Sequence, residues 1–201
     1  FQAIVDLGAY FFSVLIVLII HFFLTYGGLL IIFTKIKIIK FYSKMKDTFL
    51  FAFSTASSAA TIPITLKTVE ERLGVDKSVA SFSVPLGATI NMDGTAIMQG
   101  VATVFIANAY NIDLSIVDYL SVILVATLAS IGTAGVPGVG LVMLTMVLNQ
   151  VGLPTEGIAL IIGIDRILDM TRTAVNVTGD AAISCLVAKS EKKIDYKKIN
   201  Q

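Results

Sequence analysis

Five polar residues near the end of the chain could hold a charged small molecule, because they share one face of a predicted helix. At 100° per residue they fall within a stripe about 80° wide. An arginine offers a planar set of donors for a carboxylate, while an aspartate suits an ammonium group. Thr173 lies at the edge of this stripe and Arg166 lies beside it. The stripe comprises Asp165, Asp169, Arg172, Asn176 and Asp180.

A structural role would also fit these residues, because Asp169 and Arg172 can form an ion pair within one helix. An ionisable residue at mid-bilayer costs about 2.5–3.5 kcal/mol even on lenient insertion scales, so such residues persist when they face a partner, a ligand or water. We favour ligand binding, because an ion-pair ladder does not explain why amide and hydroxyl groups continue the stripe.

Two short polar runs, which we call knots, repeat one order of residue types. The first knot is Asn91–Thr95 and the second is Asn176–Asp180; each reads Asn, two residues, Gly, then a polar oxygen residue. Each is predicted to interrupt a long apolar helix. Their oxygen ligands, with carbonyls freed where the backbone unwinds, suit a dehydrated alkali cation. Calcium or magnesium would recruit more carboxylates at one place, so Na+ is the natural candidate.

The composition excludes several classes of protein. Of 201 residues, 56% are hydrophobic and 14% are charged, against roughly 25% charged in ordinary soluble domains. The net charge of +1 gives no basic face for nucleic acid, and a single cysteine makes neither an internal disulfide nor a zinc site. An integral membrane protein in a lipid bilayer remains. Because residue 1 is Phe and no leader pattern follows, we expect a piece of a longer chain.

The distribution of charge predicts a topology. The 28 residues of Leu7–Thr34 carry no Asp, Glu, Lys or Arg, and a helix of this length spans about 42 Å, enough to cross a bilayer. Basic residues cluster within Lys35–Lys77 and Lys189–Lys198, which the positive-inside rule places in the cytoplasm. The loops near residues 113–118 and 153–157 are then outside.

Two segments therefore begin and end on the same side of the membrane, and we predict that each enters, turns and leaves again. Their centres, Ser57–Pro63 and Ser130–Gly140, are rich in small hydroxyl residues, Gly and Pro, which break helices. The alternative is an ordinary kinked helix. The fold class is all-α membrane protein, with two re-entrant helical hairpins and broken transmembrane helices in an inverted repeat. The predicted segments are residues 1–36, 47–76, 78–112, 118–152, 157–189 and 190–201 (tail).

Four motifs together resemble the dicarboxylate/amino acid:cation symporter family, which is the glutamate transporter family. The resemblance runs from about residue 1 to residue 190 and covers the C-terminal half of a family chain. It implies transport by an elevator movement of this domain against a trimeric scaffold in the missing half. The motifs are Ser57–Pro63, Asn91–Thr95, Gly132–Gly138 and Asp169–Asp180.

The resemblance also implies a role for each matching position at the substrate site. Arg172 would hold the side-chain carboxylate with help from Thr95, and Asp169 would hold the amino group. The first tip would form the inner side of the site and the second tip the outer gate. The implied substrate residues are Ser57, Ser58, Thr95, Gly135, Val136, Asp169, Arg172, Thr173 and Asn176.

Three Na+ sites are implied in the same way, largely through backbone carbonyls. The first would use Gly87, Asn91, Asn176 and Asp180. The second would use Thr89, Ser130, Ile131 and Thr133. The third would use Asn91 and Asp93, with its other ligands in the missing half.

Two positions bear on the choice of substrate. Archaeal aspartate transporters of the family have an Arg before the serine run, where this chain has Ala56; Arg166 is a candidate for the second positive charge. Proton-coupled C4-dicarboxylate relatives lack an acid at the position of Asp169, so its presence favours an amino acid. His21, alone in the first helix, is expected to pack or to form a helix–helix hydrogen bond.

The leading hypothesis is a Na+-coupled importer of aspartate or glutamate in the cell membrane, with a cytoplasmic C-terminus and no enzymatic activity. The alternative within the family is a proton-coupled symporter of a dicarboxylate or a neutral amino acid. An intramembrane protease would need Asp93 and Asp180 to share a proton, but Val177 replaces the glycine expected before the second aspartate. A passive channel would not need the pairing of Asp169 with Arg172.

Overall fold

The computed structural model describes residues 2–200, apart from the side chain of Ala3, and every regular element in this range is a helix. The first helix begins as α1 (Gln2–Ile20) and passes through a π-helical segment, π1 (His21–Tyr26), into α2 (Gly27–Leu29) and a second π-helical segment, π2 (Leu30–Thr34). Further helices are α3 (Ile38–Thr55), α4 (Ser58–Lys67), π3 (Thr68–Arg72), α5 (Lys77–Ile90), α6 (Asp93–Ala109), α7 (Ile116–Ile131), α8 (Val139–Gln150), a 3-10 helix (Thr155–Leu160), α9 (Ile162–Ser190) and α10 (Tyr196–Asn200).

The first helix alone, among residues 2–200, is long and apolar enough to cross a membrane. Its span Ile4–Thr34 covers 31 residues with a mean hydropathy of 2.5. It ends where Lys35 adopts a left-handed conformation with φ 62°, close to the predicted end at residue 36. The outermost residues of the predicted first helix and tail, Phe1 and Gln201, lie outside the described residues.

A helix break is present at the centre of both predicted hairpins. Between α3 and α4 the chain turns at Ala56, whose φ is 51°, and the Ser57 side chain then caps α4 by accepting from the amide of Ala60. Between α7 and α8 the chain is irregular over residues 132–138. The first arm begins at Ile38, well before the predicted residue 47. That these helix pairs enter and leave one membrane face stays a prediction.

The two knots differ in structure, and one prediction is wrong. The first knot breaks its helix, since Asn91 and Met92 separate α5 from α6. The second knot was also expected to interrupt its helix, but α9 continues through Asn176–Asp180 without a break. The hydroxyl of Thr178 donates to the Ala174 carbonyl inside the helix, and no proline disrupts α9, so its backbone hydrogen bonds stay intact.

Helix α9 forms the axis of the domain. It contacts α1, α3, α4, α5 and α6, and every residue of 172–182 is buried. The apolar positions of this stretch include Ala174, Ala181 and Ala182, and small residues allow helices to approach closely in membranes. The outward sides of α1 and α7 expose large apolar residues such as Phe12, Ile16, Leu120, Ile123 and Leu124.

The C-terminal residues bind the neighbouring helix ends together. A single β-bridge joins Val75 to Ile194, and Ile199 of α10 is 2% exposed. The Tyr196 hydroxyl donates to the carbonyl of Thr34 at 2.8 Å, while Lys40 Nζ donates to the carbonyl of Asn200 at 2.7 Å. We call residues 191–200 the C-terminal strap, because they connect the ends of the first helix, α3 and the α4–α5 connection.

Candidate functional site

A buried ion-pair cluster lies at the centre of the domain. The guanidinium of Arg172 binds both oxygens of Asp165, at 2.7 and 3.2 Å, and its Nη2 lies 3.0 Å from Asp169 Oδ1. The arginine is 1% exposed and its partners 3% and 6%. Burial of this kind is tolerated because each charge has a partner with good geometry. The ion pair between Asp169 and Arg172, which the structural alternative required, is therefore present.

A second group of polar side chains continues the stripe beyond this cluster. Asn176 Oδ1 accepts a hydrogen bond from the Gly94 amide at 2.8 Å, and its Nδ2 lies 3.4 Å from the hydroxyl oxygen of Thr95. Thr173, Thr95 and Asn176 are all at most 5% exposed. The break before α6 leaves the Gly94 amide without a backbone partner in α6. The Asn176 side chain of α9 accepts its hydrogen bond instead.

The turn between α3 and α4 contacts the turn between α7 and α8 beside this stripe. The Ser57 hydroxyl donates to the Gly135 carbonyl at 2.7 Å, and the Ala59 amide donates to the same carbonyl at 3.1 Å. The Gly138 amide donates to Asp169 Oδ2 at 2.9 Å. A Cβ at residue 135 would lie 3.0 Å from the Ala59 backbone nitrogen, so glycine allows this close approach.

The turns and α9 enclose a small cavity of about 10 Å³, which is the space of about one water molecule. It is lined by eight of the nine predicted substrate residues. Ser57 lies beside it through the bond to Gly135, and Val136 lines it although 47% of this residue is exposed. The predicted lining residues are Ser58, Thr95, Gly135, Val136, Asp169, Arg172, Thr173 and Asn176, which together with Ser57 complete the predicted set.

The residues of the first predicted Na+ site lie together. Asn91 Nδ2 donates to Asp180 Oδ1 at 2.9 Å and to the carbonyl of Asn176 at 3.2 Å. A Cβ at residue 87 would lie 2.5 Å from Asp180 Oδ1, so this carboxylate packs directly on the Gly87 backbone. Asp180 is 2% exposed, and its side chain forms no ion pair with the described lysines, arginines or histidine.

The second predicted set is less closely assembled. Thr89 is exposed and its hydroxyl donates to the Leu86 carbonyl of its own helix, while Ile131 is 46% exposed. Ser130 and Thr133 are each 4% exposed, and the Ser130 carbonyl accepts from the Thr133 amide at 3.3 Å. These four positions stay a prediction.

The first knot and the first helix meet at Asp93, which belongs to the third predicted set. Asp93 Oδ2 lies 2.6 Å from His21 Nε2 and 2.5 Å from the Tyr26 hydroxyl oxygen. His21 thus forms the helix–helix hydrogen bond that the sequence indicated. Asn91, the other member of the set, points its amide to α9 instead.

Two residues at the site received no role from the sequence. Asp165 was placed on the stripe, yet its bidentate bond to Arg172 was not foreseen; the spacing of seven residues, about two helical turns, was the available signal. Tyr26 carried no signal, because its position depends on π1.

Arg166 is exposed and forms no ion pair among the described residues, and the structure gives no second positive charge in the cavity.

The charges of this region do not balance. Asp165, Asp169 and Asp180 are buried, against the single buried cation Arg172 among the described residues. Asp93 adds a fourth carboxylate whose side chain is 32% exposed. Buried carboxylates are stable when a cation or hydrogen bonds compensate them. The arrangement is therefore suited to bind cations beside a carboxylate-binding arginine.

These features define a membrane carrier domain: an apolar helical exterior, two helix turns meeting over a buried polar stripe, and an excess of buried carboxylates. Comparison with known proteins agrees. The model of the sodium:dicarboxylate symporter family matches residues 1–190, and the chain belongs to that family of membrane transporters. The family is not one of enzymes, so the protease hypothesis is excluded.

Several curated relatives are excitatory amino acid transporters. The chain is 44% identical to the human excitatory amino acid transporter 2 over 194 residues, which cover 92% of this chain and 33% of the relative. It is 46% identical to the mouse excitatory amino acid transporter 3, covering 93% and 36%. It is 43% identical to the putative sodium-dependent excitatory amino acid transporter glt-4 of Caenorhabditis elegans, covering 94% and 38%. The chain thus spans about a third of the length of these relatives.

Proposed function

We propose that the protein imports an acidic amino acid, aspartate or glutamate, together with Na+. The observation that carries the proposal is the single buried arginine, Arg172, at a cavity that also presents Asp169, Thr95 and Asn176. A planar guanidinium suits the side-chain carboxylate of such a substrate. The carboxylate of Asp169 suits its ammonium group, while Thr95 and Asn176 add neutral hydrogen bonds.

In the proposed binding step, Arg172 exchanges part of its contact with the two aspartates for the substrate carboxylate. Asp165 holds two nitrogens of the guanidinium by a bidentate bond, so it fixes the plane of the arginine while Nη2 is shared. Asp169 is released toward the ammonium group. Each charge keeps a partner throughout, which avoids the cost of an unpaired buried ion.

Na+ coupling is supported by the excess of buried carboxylates. Asp180 is 2% exposed, and Asn91 Nδ2 lies within 3.2 Å of both its Oδ1 and the carbonyl oxygen of Asn176. These two oxygens, with Gly87 beside them, form a set of hard donors that fits Na+. The cation would be the positively charged partner that the Asp180 carboxylate lacks. Asn176 borders both the substrate cavity and the Na+ site. Binding of Na+ would therefore affect binding of the substrate, which couples their transport.

The two turns act as the gate in this proposal. A cavity of about 10 Å³ cannot contain an amino acid, so the second turn, residues 132–138, must separate from Ser57 for the substrate to enter. The hydrogen bonds from Ser57 and from Gly138 are the contacts that break. The second turn is bordered by Gly132 and Gly138, and the latter has φ 80°, which only glycine adopts readily.

The remaining parts of the proposal concern the whole protein. The two helix pairs are re-entrant hairpins in an inverted repeat, and the domain moves as an elevator against a trimeric scaffold formed by the other part of the chain. The protein lies in the cell membrane with the C-terminal strap in the cytoplasm. The lysines of residues 35–46 and 189–198 support this orientation.

The test is uptake by proteoliposomes containing the full-length protein, with labelled aspartate or glutamate and an imposed Na+ gradient. Arg172→Lys keeps the charge but loses the planar fork, and we expect it to weaken acidic substrates at least about thirtyfold, or about 2 kcal/mol. The matched control is Arg72→Lys. Arg72 is half-exposed at the surface and pairs with Asp47 at 2.7 Å, so uptake should be unchanged.

Retained aspartate uptake by a folded Arg172→Lys variant would contradict the substrate assignment. Uptake that persists when Na+ is replaced by choline would contradict Na+ coupling. The second candidate is proton coupling to a dicarboxylate or neutral amino acid, which the buried carboxylates favour because protonation would also neutralise them. Succinate uptake driven by a pH gradient alone would identify it.

A further inference from the structure

The carboxylate of Asp93 is held by two donors from the first helix. His21 Nε2 lies 2.6 Å and the Tyr26 hydroxyl oxygen 2.5 Å from the same atom, Asp93 Oδ2. When ionised, the Asp93 carboxylate accepts hydrogen bonds from both groups, with a hydrogen on His21 Nε2. The other oxygen, Oδ1, accepts from the Gly94 amide at 3.1 Å. One oxygen is thus saturated, while Oδ1 keeps capacity for another partner.

The π-helical segment brings these two donors to one face of the first helix. π1 begins at His21 and ends at Tyr26, five residues later. In an α-helix residues five apart differ by about 140° in direction, whereas the i→i+5 pattern of a π-helix places them one above the other. The rings of His21 and Tyr26 accordingly lie edge to face, 4.7 Å apart.

Tyr26 also reaches the second knot. Its side chain is 2% exposed, and a Cβ at residue 179 would collide with the Tyr26 hydroxyl and lie 2.6 Å from Asn91 Nδ2. Because residue 179 is a glycine, the Tyr26 hydroxyl fits between Asn91 of the first knot and α9. One hydroxyl group thus lies against Asn91 and Asp93, which belong to the first and third predicted Na+ sites.

We infer that Tyr26 and His21 are positioning residues that orient the Asp93 carboxylate toward a bound cation, and that π1 exists to align them. The inference rests on the proposed Na+ coupling. Two hydrogen bonds to Oδ2 fix the rotation of the carboxylate and direct Oδ1 to the ion. Groups that orient a metal ligand typically change metal affinity 10–100-fold when they are removed.

The test measures Na+ binding without transport. The full-length protein in detergent is titrated with NaCl against choline chloride, without amino acid, and its thermal unfolding midpoint is followed. We expect Tyr26→Phe to raise the Na+ concentration at half-maximal stabilisation about tenfold. The matched control is Tyr196→Phe, because the Tyr196 hydroxyl donates to the Thr34 carbonyl at the end of the first helix, outside π1, and not to Asp93. Its Na+ midpoint should equal that of the unmodified protein.

Two further variants separate positioning from structural support. His21→Leu should also raise the Na+ midpoint about tenfold, while His21→Gln, which keeps a donor, should raise it less than threefold. If Tyr26→Phe does not fold, the difference in Na+ midpoint between the two His21 variants still tests the inference. In an Asp93→Asn background, Tyr26→Phe should cause no further shift, because the carboxylate that it orients is gone.

Lower thermal stability with an unchanged Na+ midpoint would show a structural role and overturn the inference. A tenfold shift that persists in the Asp93→Asn background would overturn it as well. If Na+ fails to stabilise even the unmodified protein, the proposed Na+ coupling itself is wrong, and this inference falls with it.

Discussion

The two knots have the same order of residue types but opposite backbone structures. The first, Asn91–Thr95, separates α5 from α6, whereas the second, Asn176–Asp180, lies within an unbroken α9. The second knot supplies the acceptors for donors of the first: Asn176 Oδ1 accepts from the Gly94 amide, and Asp180 Oδ1 accepts from Asn91. A broken helix is tolerated in the interior of this domain because an intact neighbouring helix satisfies its freed groups.

The largest expected effect tests which knot would bind the proposed Na+ more strongly. Asp180→Asn should raise the Na+ midpoint of thermal stabilisation more than about a hundredfold, or about 3 kcal/mol, because the proposed Na+ loses a buried carboxylate as its charged partner. Asp93→Asn should have a smaller effect, since its side chain is 32% exposed and already bound by His21. Equal shifts, or a larger one at Asp93, would contradict this ranking.

The next effect tests the packing between the knots. Gly179→Ala places a methyl group against Tyr26 and Asn91, so we expect a loss of about 1–3 kcal/mol by overpacking. Gly163→Ala is the control in the same helix, because a Cβ there meets nothing within 4 Å. It should be neutral or stabilising by up to about 1 kcal/mol. Thermal unfolding of both full-length variants measures the difference, and similar values would argue against close packing at Gly179.

A smaller effect tests how the intact knot supports the broken one. Asn176→Ala removes the closer of the two acceptors of the Gly94 amide and should cost about 1–2 kcal/mol, as loss of a helix cap does. Thr178→Val keeps the volume of a residue whose hydroxyl bonds only within its own helix; it should cost less than about 0.5 kcal/mol. The unfolding free energies of both variants measure these costs. A larger loss for Thr178→Val would contradict the role of Asn176 in supporting the broken helix.

The smallest effect concerns the start of the helix that leads to the first knot. Asp76 caps α5, and its pKa lies below the usual value because the Ser78 hydroxyl and amide donate to the carboxylate. The folded pKa is depressed, so this stabilisation is present above the unfolded pKa of about 4 and is lost as pH falls through the folded pKa. α9, which begins at Ile162, has no side-chain cap. Asp76→Asn keeps a cap that does not titrate, and thermal unfolding of this variant should vary less below pH 4.

The stripe on α9 could be predicted because helical periodicity fixes which residues share a face. Asp169, Arg172 and Asn176 are buried together as expected, and the two helix breaks fall where Gly, Pro and serine cluster. The unbroken second knot could not be predicted, because its letters match the first and the difference lies in tertiary partners. π1 was also missed, since an i→i+5 segment leaves no periodic signal in an apolar sequence. The contact of Tyr26 with Asp93 depends on it and was therefore invisible.

The C-terminal strap gives this domain an order of assembly. Its contacts with Thr34, Gly74 and Lys40 are made by residues 195–200, which leave the ribosome after everything that they hold. The hydrogen bonds at these helix ends therefore form only after α10 has been synthesised. A chain that ends before α10 would lack the hydrogen bonds of Tyr196 and Asn200 to these helix ends.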